Sequence, residues 1–262
     1  MGHHMRWFRT LTKSFGVKEL LASPGQQETS TYDSGLIAKV VVEKNVKLTE
    51  KLESHSTLKL DFILLRPLLV FALIQKKKIN VFDLGGGGGT HYHITRKLIN
   101  NENKLKWAVL ETPSMVAKAR SISNEELSFF SEYSHALEFL GNIDVALASS
   151  VFQYLRDPIE ELIKFINLGA EFIFITRTAL TDQNSTLRVI QKSRLKDNGP
   201  GSLPENFQDS EVQYPLTVVN KNLFMDTLSE KYSIVSEIEE DRAVHKINGH
   251  LVNQYGFLCI KK

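Results

Sequence analysis

Five consecutive glycines, Gly85–Gly89, follow the run Ile79-Asn80-Val81-Phe82-Asp83-Leu84 and precede Thr90-His91-Tyr92. An apolar run closed by an acid, then glycines, then a helical pattern reaching Leu98-Ile99, predicts a strand, a tight turn and a helix N-terminus. Without Cβ atoms, glycines accept positive φ and let a ligand come close to the main chain, while the first turn of a helix presents unpaired N–H groups. A flexible glycine linker is the other reading. Linkers, however, seldom separate an apolar strand from a helix, and the arrangement points to a turn that receives a nucleotide-like ligand.

Downstream of this turn, strands and helices alternate, the pattern of a parallel sheet with crossover helices. Strands are expected at 79–84, 107–110, 127–130, 145–148, 172–176, 232–238 and 255–261, and helices at 90–100, 114–121, 158–167 and 220–230. Asp157, Pro158 and Glu160 supply a capping acid, a proline at N1 and an acid in the first turn of a helix. The last two strands are joined by a loop alone, so the closing strand is expected to run antiparallel. The fold class is therefore α/β, a Rossmann-like seven-stranded and mostly parallel sheet.

Residues 1–78 read as an N-terminal helical flank. Met1–Met5 resemble a tag remnant with the native start near Met5, a short amphipathic helix is expected within 6–22, and helices are expected at 34–52 and 58–75. The domain proper runs from 79 to 262. Its polar stretch 179–219, rich in turn residues, reads as a lid-like insertion or a surface excursion with a short helix near 186–196.

Composition removes several classes. A net charge of +2 spread over 262 residues supports no nucleic-acid binding. Lys76-Lys77-Lys78 reads as a solvated helix end. The longest greasy stretch, 67–74, is far shorter than the roughly 18 residues of a membrane span. A single cysteine, Cys259, allows no internal disulfide and fits a reducing, cytoplasmic setting. No cysteine and histidine set has metal-ligand spacing; His91 and His93, two apart, face different sides of a helix. His245 and His250 flank a turn expected at Asn248-Gly249 and read as solvent-facing.

In open parallel sheets ligands bind beyond the carboxyl ends of the strands. The second strand of the domain ends at Glu111, followed by Thr112, where a carboxylate can accept both hydroxyls of a ribose. The dinucleotide fingerprint would need glycine at position 90, which is Thr, and Glu111 lies beyond the usual spacing of about 20 residues. No Gly-Lys-Ser/Thr completes a phosphate loop. What remains is acid-x-Gly-x-Gly-x-Gly, made of Asp83, Gly85, Gly87 and Gly89 with Gly86 between them. This pattern resembles that of S-adenosyl-L-methionine-dependent methyltransferases of the Rossmann-like class.

Further landmarks are Ser149-Ser150-Val151-Phe152-Gln153-Tyr154-Leu155-Arg156-Asp157-Pro158, then Arg177-Thr178, Val189-Ile190-Gln191 and Gln213-Tyr214-Pro215, preceded by Thr31-Tyr32-Asp33. Together they are similar to a poorly characterised family of bacterial methyltransferases that often accompany surface-polysaccharide genes. The chain departs from it at Thr176, where an acid is usual, and at Leu216-Thr217, which replace an aromatic. The resemblance implies S-adenosyl-L-methionine as cofactor and a small-molecule acceptor, sugar-linked or otherwise polar and in some cases phosphate-bearing, methylated on oxygen. It also implies that Asp83 orders the glycine loop and the methionine amino group and that Glu111 takes the ribose. The Phe130-Ser131 corner and Ser149-Ser150 then flank adenine and the sulfonium. An apolar slot for adenine could come from Phe130 or Met115, although Phe130 equally suits the core.

Methyl transfer is an in-line displacement at an activated carbon, so positioning dominates and a base is needed only for a hydroxyl acceptor. His91 and Tyr92 are candidate bases, and histidine is the side chain most often used for that role; His91 could equally serve the helix start alone. Gln153, Tyr154 and Arg177 follow later strands toward the same edge. Arg177 could grip a phosphate or carboxylate through its planar fork or make a structural ion pair. Two rival functions remain at this stage, an NAD(P)-dependent reductase and a catalytically silent binding module of methyltransferase shape.

Overall fold

The computed structural model describes residues 18–19, 33–54, 68–71, 74, 76–99, 104–240, 245–247 and 249–262. The tag-like Met1–Met5, Thr31-Tyr32, Asn248 and most of the stretches 6–22 and 58–75 lie outside them. A long helix, α1 (Gly35–Ser54), and a short one, α2 (Leu68–Phe71), precede the glycine strand β2 (Lys78–Leu84). Of the stretch expected as an amphipathic helix, Lys18–Glu19 is instead a two-residue strand, β1, paired with a strand from the 179–219 segment.

From β2 to β6 the strands follow the expected order, with one helix more than expected. Helix α3 (Thr90–Leu98) leads to β3 (Lys104–Leu110), α4 (Pro113–Ala119) to β4 (Leu127–Phe130), and α5 (Tyr133–Leu140) to β5 (Val145–Ser149). Helix α6 (Pro158–Asn167) then leads to β6 (Phe172–Thr181). Strands β4, β3, β2, β5 and β6 lie side by side and parallel. The closing strand β11 (His250–Lys261) slots antiparallel between β6 and β9 (Tyr232–Glu239), as the terminal hairpin predicts. Before it, β10 (His245–Ile247) folds back on β11 at Gly249, whose φ of 82° suits the expected turn.

The central strands are buried on both faces. Phe82, Leu84, Ala108 and Leu110 join Ala136, Leu162, Phe165 and Phe224 from α5, α6 and α7 (Lys221–Ser229). Ile79, Val81, Trp107 and Val109 join Val40, Val41, Tyr92, Met115 and Val116 from α1, α3 and α4. Each large side chain removed from water in this way contributes about 1.5–3 kcal/mol. Cys259 is buried in the first of these layers, and burial pushes its thiol up to about 12, which makes it an inert core residue.

Three local expectations need correction. The 186–196 stretch is not helical: it forms β7 (Leu187–Arg194), paired antiparallel with β8 (Glu211–Asn220), and only Leu195–Asp197 makes a single helical turn. This ribbon attaches to the main sheet where Leu180 and Thr181 of β6 meet Val219 and Asn220. Helix α5 escapes the sequence reading because it begins at Glu132 without a side-chain cap. Lys76, expected at a solvated helix end, precedes β2 and bridges Asp144 (2.7 Å) and Glu171 (2.6 Å). The Asp157 cap holds as expected, its carboxylate accepting the Glu160 N–H at 3.1 Å.

Candidate functional site

Register alone brings the candidate residues together. Leu84 pairs with Leu110 and Ala148, Leu110 with Phe130, and Ala148 with Ile175, so Gly85, Glu111, Ser131, Ser149 and Thr176 lie level at the same edge, with β6 running on past it to Thr181. Thr112 caps α4 by accepting the Met115 N–H (3.4 Å), with Pro113 at N1, so Glu111 is fixed between a strand end and a helix start.

At the glycine turn, Gly85 and Gly87 adopt φ of 67° and 59°, values costly for any side chain. The Gly85 N–H donates to the Leu110 carbonyl (2.9 Å), and the Gly87 N–H to Glu111 Oε1 (2.9 Å). Glu111 Oε2 accepts the Thr112 N–H at 2.9 Å. Burial lifts the Glu111 carboxyl to about 7; the Thr112 and Gly87 N–H groups oppose the rise, and Asp83 and Asp33 add to it.

Asp83 is fully buried and accepts the Trp107 indole N–H through Oδ2 at 3.1 Å, while its Oδ1 has no partner among the described residues. His91 Nδ1 stands 3.9 Å from Asp83 Oδ2, beyond hydrogen-bond reach, and is itself buried without a partner among those residues. An acid in this position offers an acceptor to a cationic or N–H-bearing ligand.

Tyr92 does not share that place. One residue along a helix turns the side chain by roughly 100°, and its ring packs edge-on against Trp107 while its hydroxyl reaches Glu126 Oε2 (3.0 Å). Glu126 precedes β4, at the opposite end of the strands. The Tyr92 hydroxyl is accordingly held in the acid form, pushed up to about 12 chiefly by burial. Tyr92→Phe should cost about 1 kcal/mol of stability, the worth of one hydrogen bond, and leave ligand binding at the glycine turn unchanged. Paired thermal melts and titrations check this, and a weakened ligand would return Tyr92 to the site.

The remaining candidates line the β5–β6 side. Arg177, at φ 55°, donates from Nε (3.3 Å) and Nη2 (3.1 Å) to Ser149 Oγ, which also meets the Thr176 hydroxyl at 2.9 Å. Ser150 also takes a positive φ, 57°. Gln153 Nε2 donates to Ser150 Oγ (3.0 Å) and to the Arg177 carbonyl (3.1 Å). Two residues in the left-handed region, Ser150 just after β5 and Arg177 within β6, are strained features of the kind that gather at working sites. Phe130 packs on Phe139 (5.4 Å between ring centres) and is only partly exposed, Ser131 is exposed, and Met115 is buried in the α4 layer.

Helix α1, assigned no chemistry from sequence, covers the glycine turn. Asn45, fully buried, accepts the Thr90 hydroxyl (2.8 Å) and lies so close to Gly88 that a Cβ there would sit 2.6 Å from Asn45 Nδ2. The neighbouring Lys44 donates to the carbonyls of Lys196 (2.6 Å) and Asn198 (2.7 Å) in the turn after β7, and burial lowers its ammonium to about 8 against the pull of Asp197 and Asp209. One helix thus ties the glycine turn to the β7–β8 ribbon. The signal in sequence is the polar pair Lys44-Asn45 inside the apolar face of α1. Glu240, which accepts the Arg177 N–H at 3.0 Å, was equally unmarked.

Among the described residues no cluster of metal-ligating side chains occurs and no helix is long and apolar enough to cross a membrane. No family model and no curated relative matches the chain. Among solved structures it is similar to the N-terminal domain of EvdMO1 with SAH bound, at 11% identity over 84% of this chain and 97% of that one, with a TM-score of 0.47. An S-adenosylmethionine-dependent methyltransferase from Clostridium acetobutylicum aligns at 9% identity over 84% and 98%, with a TM-score of 0.47. Magnesium protoporphyrin IX methyltransferase from Synechocystis, with bound SAM, aligns at 10% over 92% and 100%, with a TM-score of 0.44.

Proposed function

We propose that the chain is a methyltransferase that uses S-adenosyl-L-methionine to methylate a hydroxyl of a small polar or carbohydrate-derived acceptor. The observation that carries this reading is the meeting, at one sheet edge, of a left-handed glycine turn with two acids. Asp83 keeps one carboxylate oxygen unpaired among the described residues, and Glu111 braces the turn. These residues fit the group. Gly85–Gly87 admit it close to the backbone, Asp83 supplies the anion its cationic end requires, and Glu111 offers lone pairs to ribose hydroxyls. Thr112, Phe130 and Ser131 border the adenine side, and Ser149 and Ser150 the sulfonium side. When bound, S-adenosyl-L-methionine supplies a methyl carbon already activated by a positively charged sulfur.

The protein's share of the work is binding, orientation and exclusion of water. Arg177, within β6 just past its pairing with β5, and Gln153, in the turn after β5, would orient the acceptor; His91, buried with its Nδ1 3.9 Å from Asp83 Oδ2, would border the cofactor. A reductase reading gains nothing from the geometry, since Thr90 occupies the third glycine position of the dinucleotide turn and is committed to Asn45.

Incubation with methyl-labelled S-adenosyl-L-methionine and a small-molecule extract should yield a labelled product that keeps its label in mild base, as an ether does. Label released as methanol would place the methyl on a carboxylate and contradict the hydroxyl assignment. Cofactor binding with no labelled product would favour the silent module.

A further inference from the structure

Beside the glycine turn, Val151 packs against Gly85 so closely that a Cβ there would lie 2.5 Å from Val151 Cγ2. Two residues on, Gln153 is 2% exposed. Its Nε2 donates to the Arg177 carbonyl, an atom that can only accept, so the amide orientation is fixed and Oε1 is the atom turned outward from that contact. Gln153 Oε1 has no hydrogen-bond partner among the described residues.

The β7–β8 ribbon brings a second such oxygen to the same place. Gln191 and Tyr214 are cross-strand partners and therefore project from the same face. The Tyr214 ring meets Tyr154 edge-on, 5.3 Å between centres and 89° between planes. The Tyr154 hydroxyl lies within hydrogen-bonding reach of Gln153, Ser150 and Gln191. Gln191 is 8% exposed, and its Oε1 is likewise without a partner among the described residues. A buried amide oxygen lacking a donor is destabilising, and two of them here flank one phenol.

One cation and one buried acid stand beside this wall. The Arg177 guanidinium is engaged with Ser149 Oγ, and the Glu240 carboxylate sits on the Arg177 backbone N–H. Burial holds the Tyr154 and Tyr214 hydroxyls in their neutral form by raising both. The wall therefore offers acceptor oxygens, one phenol that both donates and accepts, and two aromatic rings. A phosphate or carboxylate would meet the amide oxygens with more lone pairs; a hydroxyl meets them with a donor.

Resting on the methyltransferase reading, we propose that Gln153, Tyr154, Gln191 and Tyr214 form the acceptor-binding wall and that it selects an uncharged polyhydroxyl compound, a sugar ring or cyclitol, over an anionic one. Specificity is then set by the ribbon within 179–219, which covers the acceptor, while the glycine turn holds the methyl donor.

The test is ligand-observed NMR on the full chain saturated with S-adenosylhomocysteine, using methyl glucoside and inositol against glucose 6-phosphate and glucuronate. Both neutral probes should bind at least tenfold more tightly than their charged counterparts. Gln191→Leu should weaken the neutral probes at least tenfold while S-adenosylhomocysteine affinity stays within twofold, which also shows that the variant is folded. Gln191→Glu, which keeps an acceptor oxygen in place, should restore most of the loss. Preference for the charged probes, no binding of any probe to the loaded protein, or unchanged affinity in Gln191→Leu would overturn the proposal. Failure to bind S-adenosylhomocysteine at all would instead overturn the methyltransferase reading beneath it.

Discussion

Glu111→Ala is expected to weaken binding of S-adenosylhomocysteine by roughly 10–100-fold, the worth of hydrogen bonds to a charged acceptor. Two losses combine. The ribose hydroxyls lose their carboxylate, and the Gly87 and Thr112 N–H groups lose the oxygens that brace the turn. Binding should also depend on pH. With the carboxyl lifted to about 7 by burial, more of it is ionised at pH 8 than at pH 6, so affinity should rise across that interval, and Glu111→Gln should flatten the profile. Stability moves the other way. A carboxyl raised above its unfolded value contributes stability that is present below about 4.5 and lost as pH rises through about 7. After discounting for partial exposure, the ligand-free protein should be less stable at pH 8 than at pH 5 by about 1–2 kcal/mol from this group. Calorimetry and melts at both pH values check the pair of slopes; a pH-independent affinity would remove Glu111 from the ribose.

Gly86→Ala should abolish measurable cofactor binding. A Cβ at Gly86 would stand 2.5 Å from Asp83 Oδ2 and 2.6 Å from its carboxyl carbon. Asp83 cannot yield freely, since the buried Trp107 indole holds it. Relief must come from moving either the acid or the turn, at about 1–3 kcal/mol for one methyl forced into a filled space, and either movement misplaces the groups that would grip the ligand. Gly35→Ala is the matched control, because nothing lies within 4 Å of a Cβ there; it should leave both the melting temperature and binding unchanged. A folded Gly86→Ala protein with normal affinity would show that the acid and the turn do not act together.

What the sequence disclosed follows from how strongly each segment is written. Ile79–Leu84 with its glycines, and Phe172–Thr176, are apolar on both faces because helices cover both, and such runs are unmistakable. The reversed β11 followed from a loop too short for a crossover. The β7–β8 ribbon was misread because its strands are half-polar and Pro215 interrupts the run; Pro215 is tolerated because its stretch of β8 pairs only with β7. The same half-polar pattern conceals the proposed acceptor wall, although Gln191 and Tyr214 stand among the sequence landmarks. Tyr92 was assigned to the site by nearness in sequence, and a 100° step around α3 carries it to Trp107 instead. Asn45 and Glu240 reach the site from distant segments, and only the folded chain shows them there.

The most direct measurement is a calorimetric titration of the full chain with S-adenosylhomocysteine and, separately, with NADH. Saturable one-to-one binding of S-adenosylhomocysteine and no binding of NADH are expected. Binding of NADH without S-adenosylhomocysteine would contradict this expectation and reassign the Asp83–Gly89 turn.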